Sequence, residues 1–407
     1  MRILQINKHH FIKGGADRVY LNTGNLLAEN QHEVIYFSTD DPNNFESSYS
    51  EFFVPFTDNR QAGFARKIAN TGNYLNNRAA YKSLNQLIEK YHPDIAHLHL
   101  FYGGLSSSVL KALKENNIPV VHSVHDYRLL CPAFVFLDSG NQICEKCRNR
   151  SYYQCTIKRC SDGDLFYSSV LSMEAYTRKY FIDPLDYIDH FIFVSKFAQE
   201  KHIDFDNRYS EKSSLLYNFT DVLQEKRTSE KGNYFLYFGR LSKEKGLLTL
   251  INVAKKLKLN LKIVGTGPLE GEATKSAENN GHIEFLGYQS GPELAKIIKS
   301  SLFSIVPSEW YENNPMSVIE AYSYGIPVIG ARIGGIPEIV IENRTGYLFE
   351  SRNEEDLARV ITTASQITPA EYADLSMNAR DFADRNFSSG NHYPALMDIY
   401  SKVLRNG

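Results

Sequence analysis

The feature that most constrains this chain is an alternation of short apolar runs with helix-period segments, and it occurs twice. In the first half RILQIN, HEVIYFST, DIAHLHLF, PVVHSVHD and HFIFVS read as strands. In the second, NYFLYFG, LKIVG, IEFLG, LFSIVP and PVIGA restart the pattern, each followed by Gly or Pro punctuation and a helix. Such alternation predicts parallel sheets covered by helices on both faces. A length of 407 residues is too great for one hydrophobic core. The expected fold is therefore α/β, with two Rossmann-like doubly wound domains at residues 1–222 and 223–387. The polar run DVLQEKRTSEKGN reads as the linker between them. Tandem domains of this kind face a cleft at the carboxyl ends of their strands, where ligands bind.

Composition narrows the partners. Lys plus Arg is 45 and Asp plus Glu is 47, a net charge of −2, which disfavours nucleic acid as a partner. No apolar run approaches the roughly 18–20 residues of a membrane span. The opening MRILQINKHHFIKGG is too soon interrupted for a secretory signal, so a cytoplasmic protein is expected. The charge is not uniform. Residues 60–90 carry six basic side chains (Arg60, Arg66, Lys67, Arg78, Lys82, Lys90) against Glu89. Residues 144–160 carry five (Lys146, Arg148, Arg150, Lys158, Arg159) against Glu145. Each stretch is either a solvated face or a contact with a polyanion.

Residues 131–165, rich in Cys, Arg and Tyr, read as an insertion outside the sheet. Cys144-x-x-Cys147, Cys155 and Cys160 place four thiols within 17 residues, a spacing that suits a tetrahedral structural zinc. Unligated thiols or a disulfide are the alternatives, and Cys131 reads as a small core residue.

The densest segment is SEWYENNPMSVIEAYSYGIPVIG. Asn314 as N-cap, Pro315 at the first helical position and Gly325 as stop predict a helix over 315–324. Its N-terminus offers backbone amides and a positive dipole end to phosphate. Glu312 precedes the helix and Glu320 lies inside it; the plain alternative is a capping Glu plus a solvent-facing one. In YFGRLSKEKG, Arg240 and Lys245 follow a strand end, where two cations suit a departing diphosphate or are simply surface charges. Asp162/Asp164 and Asp204/Asp206 read as loop residues rather than metal ligands. His97, His99 and His122 read as lining for a polar cleft.

Taken in order, strand-GR-four residues-KG, IVGTGP, IEFLG, Glu-seven residues-Glu ending in EAYSYGIPVIG, and GGIPE resemble the family 4 glycosyltransferases. The resemblance covers nearly the whole chain and implies the GT-B fold with a retaining transfer from a UDP- or GDP-linked sugar. It implies that Arg240 and Lys245 bind the donor diphosphate, that Glu312 faces the donor sugar, and that Glu320 takes the ribose hydroxyls. Gly14 and Gly15 match the family's Gly-Gly loop near the phosphate, and His125 in SVHDY its active-site histidine. Where the family often has Gly-Phe-Gly after the first Glu, this chain reads Asn313-Asn314-Pro315. Proline has no N–H, so Met316 and Ser317 amides or the Asn side chains would complete the phosphate cradle.

The resemblance further implies that a helix at about 388–407 packs back on the first domain, and that no catalytic metal is needed. It implies front-face attack, with the leaving phosphate helping to take the acceptor proton. Similar Cys-rich inserts after the HDY segment occur in some bacterial polysaccharide members. The first domain faces the acceptor in this family, so a growing glycan, lipid-linked, in capsule or O-antigen synthesis is the expected acceptor. The two basic stretches, interleaved with Phe64, Ile68, Tyr74, Leu75, Tyr152 and Tyr153, then suit peripheral contact with anionic lipid on the inner face of the membrane. The rival reading is a nucleotide-sugar epimerase of the same architecture, which would release a free epimer.

Overall fold

The computed structural model, which describes residues 1–56, 64–220 and 232–406, contains two six-stranded parallel sheets and one two-stranded pair. Arg60, the side chains of Phe64, Arg66, Lys67 and Ile68, and residues 221–231 of the expected linker lie outside the described residues. By contacts the chain divides into two units, Met1–Leu216 with Tyr393–Gly407, and Tyr217–His392.

The strands of the first unit are β1 (Arg2–Ile6), β2 (Glu33–Phe37), β3 (Thr39–Asp40), β4 (Val54–Pro55), β5 (Ile95–Leu98), β6 (Val120–Val124), β7 (His190–Phe193) and β8 (Ser213–Leu215). The large sheet runs β2-β1-β5-β6-β7-β8, and β3 pairs with β4 alongside. Every residue of β5, β6 and β7 is buried, as expected where helices cover both faces of a parallel sheet. Ile3, Ile95, Val121 and Ile192 share one core with Leu396, Ile399, Tyr400 and Val403 of the last helix, Ser389–Asn406. The Tyr400 hydroxyl meets His97 Nδ1 at 2.7 Å, so a buried imidazole ties that helix to the sheet.

The second unit contributes β9 (Phe235–Phe238), β10 (Leu261–Val264), β11 (Ile283–Phe285), β12 (Phe303–Val306), β13 (Val328–Ala331) and β14 (Gly346–Phe349). They run β11-β10-β9-β12-β13-β14. Numbered within the unit this is the 3-2-1-4-5-6 order of the dinucleotide-binding fold. The strand order reverses between β9 and β12, which opens a crevice beyond their carboxyl ends.

The crossing points differ from the expected 222/223 and 387/388. Tyr217–Thr220 belong to the second unit because they bond within it: Asn218 to Asn314, Thr220 N to Phe387 O, and Tyr217 O to His392 Nδ1. Three strands escaped the sequence reading, β4, β8 and β14: β4 has only two residues, β8 is half-exposed and polar, and the apolar run of β14, Tyr347–Phe349, is only three residues long.

Candidate functional site

In the second unit the loops after β9 and β12 leave adjacent strands, so their residues meet. After β9 comes Gly239-Arg240, then the short turn Lys243–Lys245, then the helix Leu247–Leu257. Lys245 Nζ reaches Glu312 Oε1 at 2.6 Å, and the Ser308 hydroxyl donates to the same oxygen at 2.7 Å. The Lys245 ammonium also lies 5.1 Å above the Trp310 ring. Burial alone would push the buried Glu312 carboxyl up, but the Lys245 charge and the Lys245 and Ser308 hydrogen bonds hold it below the usual carboxylate range. Glu312 is therefore an ionised carboxylate at neutral pH.

Two glycines press these loops together. Gly246 has φ +68°, and a Cβ there would stand 1.8 Å from Pro307 O, so only glycine lets the Lys245 turn lie against the end of β12. Gly334 has φ +59°, and its Cβ would stand 2.3 Å from Glu312 O, which already accepts from Gly335 N at 2.7 Å. The segment GGIPE thus serves as the seat of the Glu312 backbone.

The helix spans Met316–Ser323, with Pro315 itself as the extended N-cap, one residue later than the sequence predicts. Asn314 does not cap it. Its Oδ1 accepts from Asn218 N at 2.9 Å and its carbonyl from Asn218 Nδ2 at 3.1 Å. That leaves the buried Asn314 Nδ2 without a partner among the described residues. Asn313 is buried beside it. The first amides of the helix, from Met316 and Ser317, have no intrahelical acceptor. Glu320 is 7% exposed, which removes the solvent-facing alternative. Arg240 is exposed and makes no ion pair among the described residues, while its carbonyl holds the Tyr237 hydroxyl at 2.7 Å.

In the first unit the sheet order, counted within the sheet, is 2-1-3-4-5-6, with its switch between β1 and β5. The loop after β1 is organised by Asn7, whose Nδ2 donates to His9 O and Asp17 Oδ1 and whose Oδ1 accepts from Leu100 N. Asp17 in turn accepts from Gly14 N at 3.0 Å and fixes the start of the helix Gly15–Glu29. A Cβ on Gly14 would meet nothing closer than 3.9 Å, and its φ of −161° is open to any residue. Space therefore lies open in front of that helix. His125, after β6, pairs through Nε2 with His99 Nδ1 at 2.9 Å, and His99 Nε2 meets Gln5 Oε1 at 3.0 Å. Burial, with His122 nearby, pushes the His125 imidazole down to about 3, so it is neutral at physiological pH. His99 thus has a closer connection to His125 than a general lining role implies; two histidines leaving neighbouring strands one residue past their ends are the signal.

Cys147 and Cys155 are buried, Cys144 and Cys160 half-buried, and the neighbouring Cys155 pushes the Cys160 thiol up. Among the described residues no group of three or more His, Cys, Asp or Glu side chains is placed to hold a metal ion. The donor set of four thiols suits zinc by its chemistry, and Cys147 lies within electrostatic reach of Cys144 and Cys160. Cys131 is a buried core residue. The Asp residues act as caps and ion-pair partners: Asp164 accepts from Tyr167 N, and Asp206 pairs with Arg150 at 2.9 Å.

Known proteins share this chain's family pattern and fold. Residues 219–382 match the model of Glycosyl transferases group 1, and residues 13–223 that of Glycosyltransferase Family 4. An uncharacterised glycosyltransferase of Methanocaldococcus jannaschii is 32% identical over 176 residues, 42% of this chain and 48% of the relative. The amylovoran biosynthesis glycosyltransferase AmsK of Erwinia amylovora is 26% identical over 182 residues, 41% of this chain and 44% of its own. The chain thus spans less than half the length of these relatives. Among solved structures, a glycosyltransferase from Rickettsia africae superposes with a TM-score of 0.71 at 18% identity, covering 100% of this chain and 99% of its own. HepE from Anabaena, in complex with UDP-glucose, superposes with 0.69 at 17% identity, covering 99% and 100%. These neighbours establish the GT-B fold and lend nothing to the epimerase reading. With more than half of its residues matched by the family 4 model, the chain belongs to glycosyltransferase family 4.

Proposed function

We propose that the protein is a retaining glycosyltransferase of cell-surface polysaccharide synthesis, moving a sugar from a UDP- or GDP-linked donor to a hydroxyl of a growing, lipid-linked glycan. The observation that carries this is the Lys245–Glu312 pair at the switch point of the β9–β12 sheet, 2.6 Å apart. There a cation able to bind phosphate stands against a carboxylate able to meet the sugar. Arg240, Lys245 and the Met316 and Ser317 amides receive the diphosphate, with Asn313 and the Asn314 amide as further donors. Glu320 accepts from the ribose hydroxyls. As the anomeric C–O bond breaks, its electron pair passes to the diphosphate oxygen, where the added negative charge is stabilised by cations already in place. The acceptor oxygen attacks on the same face, and its proton goes to the leaving phosphate. Glu312 and the neutral His125 steady the oxocarbenium-like sugar through charge and hydrogen bonds.

A relative named for amylovoran biosynthesis supports the polysaccharide setting. The match is partial, so the acceptor is argued from the two basic stretches of the first unit. No helix among the described residues is long and apolar enough to cross a membrane; the proposed attachment is peripheral, on the cytoplasmic side. Structural zinc on Cys144, Cys147, Cys155 and Cys160 is proposed as a stabiliser outside the reaction, and metal analysis of purified protein decides it. The function is tested by nucleotide release from UDP-, GDP- and ADP-sugars with and without a lipid-linked glycan. Acceptor-dependent release of one nucleotide is expected. Release of a free epimer without acceptor would replace this reading with the epimerase.

A further inference from the structure

The helix Leu165–Phe181, which follows the Cys-rich segment, has its polarity reversed. Two of its three charged residues turn inward. Glu174 and Arg178 form a 2.7 Å ion pair in which each side chain is only 4% exposed. Arg178 also donates to Arg128 O and lies 5.0 Å over the Tyr102 ring. The outer arc instead carries Phe166, Met173 and Tyr180 at seven-residue spacing, with Met173 51% and Tyr180 67% exposed. Spacing of seven keeps these side chains within a narrow sector of the helix.

The short helix Tyr153–Ile157 extends the same surface. It is fixed against the longer helix by Tyr153 N donating to the Tyr176 hydroxyl and by a Thr156–Ser172 hydroxyl bond of 2.9 Å. Its Tyr153 and Ile157 stand 51% and 66% exposed, and Phe181 closes the far end at 75%. Scattered apolar residues on a surface need no explanation, but a helix that exposes several large apolar side chains, with Ser169 and Thr177 between them, while burying a Glu–Arg ion pair does.

We propose that this face, Tyr153, Ile157, Phe166, Met173, Tyr180 and Phe181, inserts into the headgroup–acyl boundary of an anionic bilayer. Charge and shape favour that occupant. Of the cations in this segment, Arg148, Arg150 and Lys158 have acidic partners, whereas Lys146, Arg159 and Lys179 make no ion pair among the described residues. The Lys179 ammonium lies over the rings of Tyr176 and Tyr180, 5.8 and 5.0 Å from their centroids. That is the arrangement of a cation meeting phosphate headgroups above buried aromatics. Of the acids around the helix, Asp164 caps its N-terminus, Glu174 is buried against Arg178, and Asp183 beyond its C-terminus is paired with Arg150 and Arg208. The outer side of a helix is convex and presents separate side chains, which suits penetration between lipids. The inference deepens the proposed lipid-linked acceptor by naming the surface that brings the enzyme to it.

The test is co-flotation of the full chain with vesicles of phosphatidylcholine alone and with phosphatidylglycerol added. Binding is expected to need the anionic lipid and to weaken with salt. It should fall at least tenfold in the triple variant Phe166→Ser, Met173→Ser, Tyr180→Ser and in Arg159→Glu with Lys179→Glu. Circular dichroism and thermal melting of each variant should match the parent. Unchanged binding by the folded triple variant would overturn the proposal, as would absence of binding by the parent. Parent dimerisation in sedimentation equilibrium that the triple variant abolishes, without vesicle binding, would give the face to a second copy and overturn it equally. Nucleotide release toward a water-soluble acceptor, measured without vesicles, should be the same in parent and variants. Its absence in the parent would count against the transferase reading alone.

Discussion

Lys245 and Glu312 illustrate how one contact sets two roles. The Lys245 charge helps hold Glu312 ionised, and Ser308 donates to the same carboxylate oxygen that the ammonium takes. Lys245→Ala is expected to lower kcat by about 10²–10³, the usual loss for one charge-stabilising group, with steady-state nucleotide release as the measurement. His125 differs in kind. Because burial keeps it neutral down to about pH 3, its proposed part in the reaction is through hydrogen bonds and not as a titrating base. His125→Asn is expected to lower kcat by about 10–100-fold at every pH, leaving a pH profile parallel to that of the parent. A limb near pH 6.5 that vanishes in the variant would contradict the neutral assignment. Glu312, Glu320, Lys245 and, through the family resemblance, His125 stand out in the sequence as candidates. Ser308, Trp310 and Asn218 do not, because a lone hydroxyl, indole or amide carries no pattern until the chain folds beside its partner.

At the level of elements, strand and helix placement followed from periodicity almost throughout, since parallel strands buried on both faces are continuous apolar runs. The misplacements have local causes. Proline at 315 looked like a first helical residue, yet its ψ of 121° is extended, and the turn begins at Met316 because Asn314 is engaged by Asn218. Glycine supplies the sharpest test at this scale. Gly334→Ala should destabilise the second unit by about 2–4 kcal/mol, combining the cost of a left-handed alanine with a collision at the Glu312 carbonyl. Gly271→Ala, in the helix Glu270–Ser276 with nothing within 4 Å, should be neutral or stabilising by up to about 1 kcal/mol. Urea titration of both variants distinguishes a conformational requirement from a general intolerance of side chains.

Over the whole molecule, the two units differ in their response to acid. Burial pushes His9 and His202 down to about 3, and His10, His122 and His190 to about 4; all five belong to the first unit. In the second unit only His392 among the described residues is lowered to about 4. The unfolded chain takes up these protons near pH 6.5 while the folded chain does not. Stability is therefore fully present above that pH and is lost as pH falls toward 4. Each such histidine removes up to about 1.4 kcal/mol per pH unit. The first unit should unfold at higher pH than the second, within roughly pH 6 to 5. Hydrogen exchange read by mass spectrometry along an acid titration checks the order, and coincident opening of both units would contradict it.

The closed Lys245–Glu312 pair has one more consequence, for the speed at which donor arrives. Opposite charges 2.6 Å apart cancel at a distance, so an approaching nucleotide diphosphate feels the exposed Arg240 and little of Lys245. In the proposed donor site the lysine would exchange its carboxylate for phosphate only after encounter. Capture should then depend weakly on ionic strength, while the dwell time of the bound nucleotide carries the selectivity.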